Sequence, residues 1–172
     1  NQMSTCTTAL ATFKVTVASG GIVDLAASAN DVFAVTDGAA TKIAVGEFTA
    51  DDTQPTLVSF DLNMNTLQLV LAFDETINAD LTDATKFSFQ PSANDNTIVP
   101  LLSGSVITTG PSTSVAIQLD VTDADIIKAN VGVGTEAADT YIAILAGAVT
   151  DMRGKTIAVL ASDGAAKKVR NN

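Results

Sequence analysis

Histidine and tryptophan are absent from this chain of 172 residues, and cysteine and tyrosine occur once each. Without histidine the chain lacks the commonest general base, the usual nitrogen ligand for zinc and copper, and the Ser and Cys triads in their usual form. Carboxylate chemistry remains, but aromatic residues, the platforms on which sugars stack, make up only 5% of the chain, so paired acids acting on a glycosidic bond have little beside them. Neither GxxxxGK[ST] nor a strand-led GxGxxG occurs, so no phosphate cradle is written in the sequence. The expectation is a protein that is not an enzyme and carries no resident cofactor. The lone Cys6, among Ser4, Thr5, Thr7 and Thr8, allows no intrachain disulfide. It reads as a free thiol, with a cross-link to another protein as the alternative.

Basic residues are also scarce: 9 against 19 acidic ones, for a net charge of −10. A field of that sign repels phosphate backbones and anionic headgroups, which excludes nucleic acid as a partner. No apolar run approaches the roughly 20 residues of a membrane-spanning helix. The opening Asn1-Gln2-Met3-Ser4 has no basic and apolar signal segment, and the expectation is a soluble, already processed chain. Charged residues in total are 16%, below the usual share of about a quarter. Such a surface is poorly defended against association and reads as one built to be covered by neighbours, or else as an extracellular surface of Ser and Thr.

Alternation of apolar and polar residues dominates the rest of the pattern. It predicts strands at 12–17, 31–35, 56–62, 66–73, 86–90, 97–101, 114–120, 141–146 and 156–160. Turn clusters stand between them, such as Ser92-Ala93-Asn94-Asp95-Asn96 and Thr109-Gly110-Pro111-Ser112. Many short, closely spaced strands predict an all-β antiparallel sandwich. One segment differs. Thr122-Asp123-Ala124-Asp125, followed by Ile126 and Ile127, has the capping-box spacing in its Asp form and predicts a helix of about two turns ending by Gly132.

The chain also repeats itself. Thr36-Asp37-Gly38-Ala39-Ala40-Thr41-Lys42-Ile43 recurs as Ser162-Asp163-Gly164-Ala165-Ala166-Lys167-Lys168-Val169, an offset of 126. Thr12-Phe13-Lys14-Val15-Thr16-Val17-Ala18 matches Thr140-Tyr141-Ile142-Ala143-Ile144-Leu145-Ala146, an offset of 128. Between them Ile22-Val23-Asp24-Leu25 corresponds to Val149-Thr150-Asp151-Met152. The matches are collinear, as in repeat architectures. A whole repeat then runs from about residue 46 to the end, and the first 45 residues copy only its closing strands. Residues 140–169 most simply fill the closing slot of their own sandwich. The N-terminal copy is left with apolar faces and ladder groups to satisfy. It can complete a neighbouring copy by strand addition, end a preceding repeat of a longer polypeptide, or pack on its own domain. The first two produce a head-to-tail array. The expected assembly interface comprises Phe13, Val15, Val17, Val32 and Val35, together with the cations Lys167, Lys168 and Arg170. The basic end (with Arg153 and Lys155) would face an acidic stretch, Asp74, Glu75, Asp80 and Asp83.

Asp51-Asp52-Thr53-Gln54-Pro55-Thr56-Leu57-Val58-Ser59-Phe60, with Leu67 to Glu75 ending in Phe73-Asp74-Glu75, resembles the opening of immunoglobulin-like tandem repeats in giant bacterial and algal cell-surface and appendage proteins. Ala148-Val149-Thr150-Asp151-Met152-Arg153-Gly154-Lys155 is similar to their closing turn, with Arg153 and Lys155 departing from the usual Ala and Asn. The resemblance implies an immunoglobulin-like sandwich at 51–172, preceded at 1–50 by closing strands and a linker. It also implies a structural, appendage or adhesive role at the cell surface, outside the cell. Asp51, Asp52 and Asp151, with Asp24 or Glu75, offer hard oxygen ligands suited to Ca2+, although acids at turns commonly cap backbone instead. The expected function is a structural subunit or repeat of an extracellular filament whose partners are copies of itself or adjacent repeats. The alternative is a calcium-dependent adhesion or carbohydrate-binding module.

Overall fold

In a computed structural model, which describes residues 14–22, 34–36, 41–42, 49–95 and 97–170, the alternating segments become antiparallel ladders. Internal contacts divide the chain into two units, 1–52 and 53–172. In the first, strands β1 (Lys14–Val15) and β2 (Thr41–Lys42) pair antiparallel, with Lys14 opposite Lys42 and Val15 opposite Thr41. Val17 and Val35 then exchange both amide hydrogen bonds, at 3.2 and 2.8 Å. Phe13, Val32, Asp24 and Cys6 lie outside the described residues.

The second unit contains β3 (Leu57–Asn63), β4 (Gln68–Asn78), β5 (Phe87–Gln90), β6 (Val99–Pro100), β7 (Ser105–Val106), β8 (Pro111–Gln118), helix α1 (Val121–Ala129), β9 (Tyr141–Ile144) and β10 (Lys167–Lys168). They form two antiparallel four-stranded sheets, ordered β3-β4-β8-β7 and β10-β9-β5-β6. Both sheets turn their apolar positions into one core, making a β-sandwich. Leu69, Leu71 and Phe73 of β4, Val115 and Ile117 of β8, Phe87 and Phe89 of β5, and Ile142 and Ile144 of β9 are buried at the spacing of two that a pleated strand imposes. Leu57 and Phe60 are both buried although three residues apart, because a register shift between Leu57 and Ser59 inserts an extra residue into β3. The Phe60 ring meets Phe89 of the opposite sheet at 6.2 Å between centroids. Burying such a side chain stabilises the fold by about 1.5–3 kcal/mol.

Several element boundaries differ from expectation for local reasons. Strand β4 does not stop at Phe73: it runs on through Asp74 and Glu75, shifts register between Ala72 and Ile77, and regains the core at the fully buried Ile77. Pro111 belongs to β8 rather than to a turn; it is the first strand residue, opposite Asn78, where a missing N–H is tolerated. The short edge strand β7 pairs with the far end of β8 and was not among the predicted strands. Segment 156–160 is not a regular strand. It stitches the two sheets together instead, through Ile157 N to Val149 O, Ala158 N to Pro55 O and a reciprocal pair between Leu160 and Ile144.

The helix starts earlier than predicted. Its N-cap is Asp120, whose Oδ1 accepts from Asp123 N at 2.8 Å, so Thr122 lies inside the first turn. An aspartate caps as well as a threonine does, and the alternative register buries Asp123. That carboxylate is fully buried and accepts from Leu102 N at 2.7 Å and from Ser103 N and Oγ at 3.2 Å, tying the helix to the segment after β6. Asp123→Ala is expected to cost about 2–3 kcal/mol in urea unfolding, because it removes from a buried position the acceptor of the Leu102 and Ser103 bonds that tie the helix. Asp125→Ala, exposed on the same helix, is expected to stay within about 0.5 kcal/mol.

Candidate functional site

The feature with functional content is a pairing that occurs in both units. In the second, β9 and β10 pair Tyr141 with Lys168 and Ile142 with Lys167, and Ile144 and Leu160 exchange amide bonds at 2.9 and 3.1 Å. In the first, Lys14 pairs with Lys42, Val15 with Thr41, and Val17 with Val35. Since Thr41 and Lys42 correspond to Lys167 and Lys168, the ladder sets Lys14 in the place of Tyr141 and Val15 in that of Ile142; at the bridge beyond, Val35 corresponds by the same offset to Ala161, whereas Ile144 bridges Leu160. That is one residue from the sequence match, which set Lys14 against Ile142. The ladder's register puts Val15 on the buried Ile142 and Lys14 on Tyr141. A slip of one would exchange the two faces of the strand. The repeat also shares a glycine, Gly38 in the first copy and Gly164 in the second. At Gly164, φ is +126°, a backbone conformation that strains any residue with a Cβ.

In the second unit the closing segment is used within the unit itself. Arg170 N donates to Phe60 O at 3.0 Å, and Lys167 Nζ to Leu57 O at 2.8 Å. The Arg170 guanidinium grips Asp61 through Nε at 3.1 Å and Nη2 at 2.5 Å. Two of the cations expected at an intermolecular interface, Lys167 and Arg170, are thus engaged on β3 of their own sandwich, while Lys168 is exposed. The opposite edges are the two-residue strands β6 and β7. The exposed apolar side chains Ile98, Leu102 and Ile107 lie beside them in sequence.

The acidic stretch is likewise committed to local structure. Asp74 accepts from the Thr56 amide at 2.8 Å and hydroxyl at 2.6 Å, Asp80 from Gly110 N at 3.1 Å, and Asp83 from the amide and hydroxyl of Thr85. For Asp74, burial favours the neutral acid, but the bonds from Thr56 outweigh it and hold the carboxyl below its ordinary range. The Thr85 hydroxyl does the same for Asp83.

Of the carboxylates read as possible metal ligands, Asp51 and Asp52 close the first unit, and Asp151 belongs to the second. Asp151 heads the turn Asp151-Met152-Arg153-Gly154-Lys155. Its Oδ1 accepts from Arg153 N and Lys155 N, both at 2.7 Å, and its backbone forms a bridge with Ile77. Asp151 is only 3% exposed, and its buried Oδ2 has no hydrogen-bond partner. A carboxylate oxygen of Glu75, on the irregular part of β4, lies within 4.8 Å of one from Asp151. Sequence reasoning found Asp151 through its turn motif, but gave no sign that one oxygen would be capped and the other left over.

The surface depressions in the second unit are shallow. One of 450 Å³ lies along Asp61, Asn63, Met64 and Gln68, and another of 320 Å³ along Asp61, Glu136, Thr140 and Arg170. No aromatic side chain lines either, among the described residues. No helix among the described residues is long and apolar enough to cross a membrane. Comparison of the chain with protein families, curated proteins and solved structures finds no match.

The lowered carboxyls fix the sign of the acid response. Because Asp74 and Asp83 titrate below their ordinary value in the folded state, their contribution is complete well above the ordinary carboxylate range and is lost as the pH falls through it towards the lowered folded-state values. The melting temperature is therefore expected to hold level down to about pH 5 and to fall below about pH 4. Thr56→Val, which removes the hydroxyl donor to Asp74, is expected to make that acid decline shallower in thermal melts followed by circular dichroism.

Proposed function

We propose that the chain is a structural repeat of an extracellular filament or surface appendage. Residues 53–172 form an immunoglobulin-like sandwich, and the residues before them supply the closing strands of a like sandwich. The observation that carries this reading is that matching repeat segments form an antiparallel pair in both units: β1 with β2, and β9 with β10. In the second unit such a pair lies between β5 on one side and β3 on the other. A two-stranded ribbon by itself is marginal in water, so the first copy takes its remaining strands from a preceding sandwich, either in the same polypeptide or in a neighbouring copy. Because the joining surfaces differ, the contact is head-to-tail and propagates.

Three further observations support the reading. Charged residues are scarce at 16% of the chain, consistent with a surface that neighbours cover. The closing slot of the second unit is filled by its own residues 141–170. The sequence resembles surface-protein repeats at both the opening and the closing turn of the sandwich. The engaged Lys167 and Arg170 shift the expected determinant from charge pairing to ladder completion and apolar burial.

Light scattering tests the proposal. The full chain is expected to show a mass that rises with concentration, whereas residues 53–172 alone are expected to be a folded monomer. Val15→Lys combined with Val17→Asp in the full chain is expected to return it to a monomer. A full chain that stays monomeric at every concentration while the amides of Val17 and Val35 resist hydrogen exchange would show that residues 1–52 are satisfied by their own polypeptide, and the proposal would fail.

A further inference from the structure

The Asp151 turn has one feature that turn formation does not explain. Capping the 151–155 turn needs a single acceptor, and Oδ1 already fills that role with two amides at 2.7 Å. An asparagine would serve there equally well, and without the cost of burying a charge. Instead the position carries a carboxylate that is 3% exposed, and its second oxygen is buried with no donor. An uncompensated buried carboxylate oxygen is a substantial penalty. A second carboxylate, that of Glu75, lies within 4.8 Å, where like charges oppose one another. A positive ion beside Asp151 Oδ2 would offset its burial, and Glu75 lies close enough to share that ion.

We propose that Asp151 and Glu75 form a binding site for a divalent cation, and that the cation is Ca2+. Both donors are hard carboxylate oxygens, and neither histidine nor a thiol accompanies them in the second unit, which argues against zinc or copper. Two oxygens each about 2.4 Å from one calcium ion lie at most about 4.8 Å apart, and the two carboxylates meet that limit. A site with few protein charges and an irregular strand on one side suits calcium, whose shell is larger and more tolerant, better than magnesium with its strict octahedron. The ion would join the register shift of β4 to the closing turn, two places already linked by the Ile77–Asp151 bridge and by Asn78 N to Thr150 O at 2.8 Å. The sequence repeat keeps an aspartate, Asp24, at the position matching Asp151. This inference does not depend on the filament reading: a monomer could bind the ion, and an array could form without it.

The test uses the full chain. After treatment with a chelator, calcium chloride is titrated in by calorimetry and thermal melts are recorded in parallel, with magnesium chloride at equal ionic strength as the control. Saturable binding in the range of extracellular calcium modules, a dissociation constant of about 10⁻³ M or tighter, is expected, with a melting temperature that rises with calcium beyond the magnesium control. Asp151→Asn keeps an acceptor for the turn amides and removes the charge; it is expected to weaken calcium binding at least tenfold while leaving the circular dichroism spectrum unchanged. Glu75→Gln is expected to weaken binding to a similar extent and serves as the deciding variant if Asp151→Asn does not fold. No calcium-specific heat or melting shift up to about 10 mM, ten times the weakest affinity expected, would overturn the proposal. So would an undiminished response in the Glu75→Gln variant.

Discussion

A β-ladder has two edges, and each exposes amide and carbonyl groups that must find partners before a sheet is stable in isolation. Most of the second unit can be understood from how that demand is met. On one side, residues 141–170 cover both sheets: β9 inserts beside β5, β10 pairs with β9, and Arg170 reaches Phe60 on β3. On the other side the edge strands are two residues long, one of them ending in Pro100, which leaves little for another chain to extend. The first unit carries an antiparallel pair of its own, β1 with β2.

The net charge of −10 has the same logic. Asp74, Asp80, Asp83, Asp120, Asp123 and Asp151 all accept from main-chain amides. These carboxylates work as local acceptors at the places where the ladders stop, which is what aspartate does at turns and helix starts. An acidic composition in this protein therefore reflects many short strands and many strand ends. Asp123 satisfies both of its oxygens with donors from Leu102 and Ser103 and ties α1 to the segment after β6. Asp151 satisfies only one, and that asymmetry separates a structural acid from a candidate ligand.

Period-two alternation located β3, β5 and the first part of β4, because there the inward residues are large and the outward ones polar. It stopped at Asp74 because an acidic pair reads as a loop, whereas the backbone continues over an irregularity that no side-chain pattern encodes. The edge strand at Ser105–Val106 and the β10 pair Lys167–Lys168 are too short to show a period. The repeat was legible because its Asp-Gly-Ala-Ala block is restrictive at Gly164, where φ of +126° favours glycine. Its exact register was not, since alternating strands match one another almost as well one place out. The Asp151 turn was legible as a motif, but the orphaned oxygen depends on burial by residues far away in sequence.

The first and last strands of the second unit lie side by side and run the same way: Lys167 reaches Leu57, and three residues later Arg170 reaches Phe60. The polypeptide accordingly enters at one end of this seam and leaves at the other. A pull on the two ends slides the strands lengthwise past each other and loads their bonds together, rather than peeling them apart one at a time. Such a seam resists stretching better than a hairpin opened from its tip.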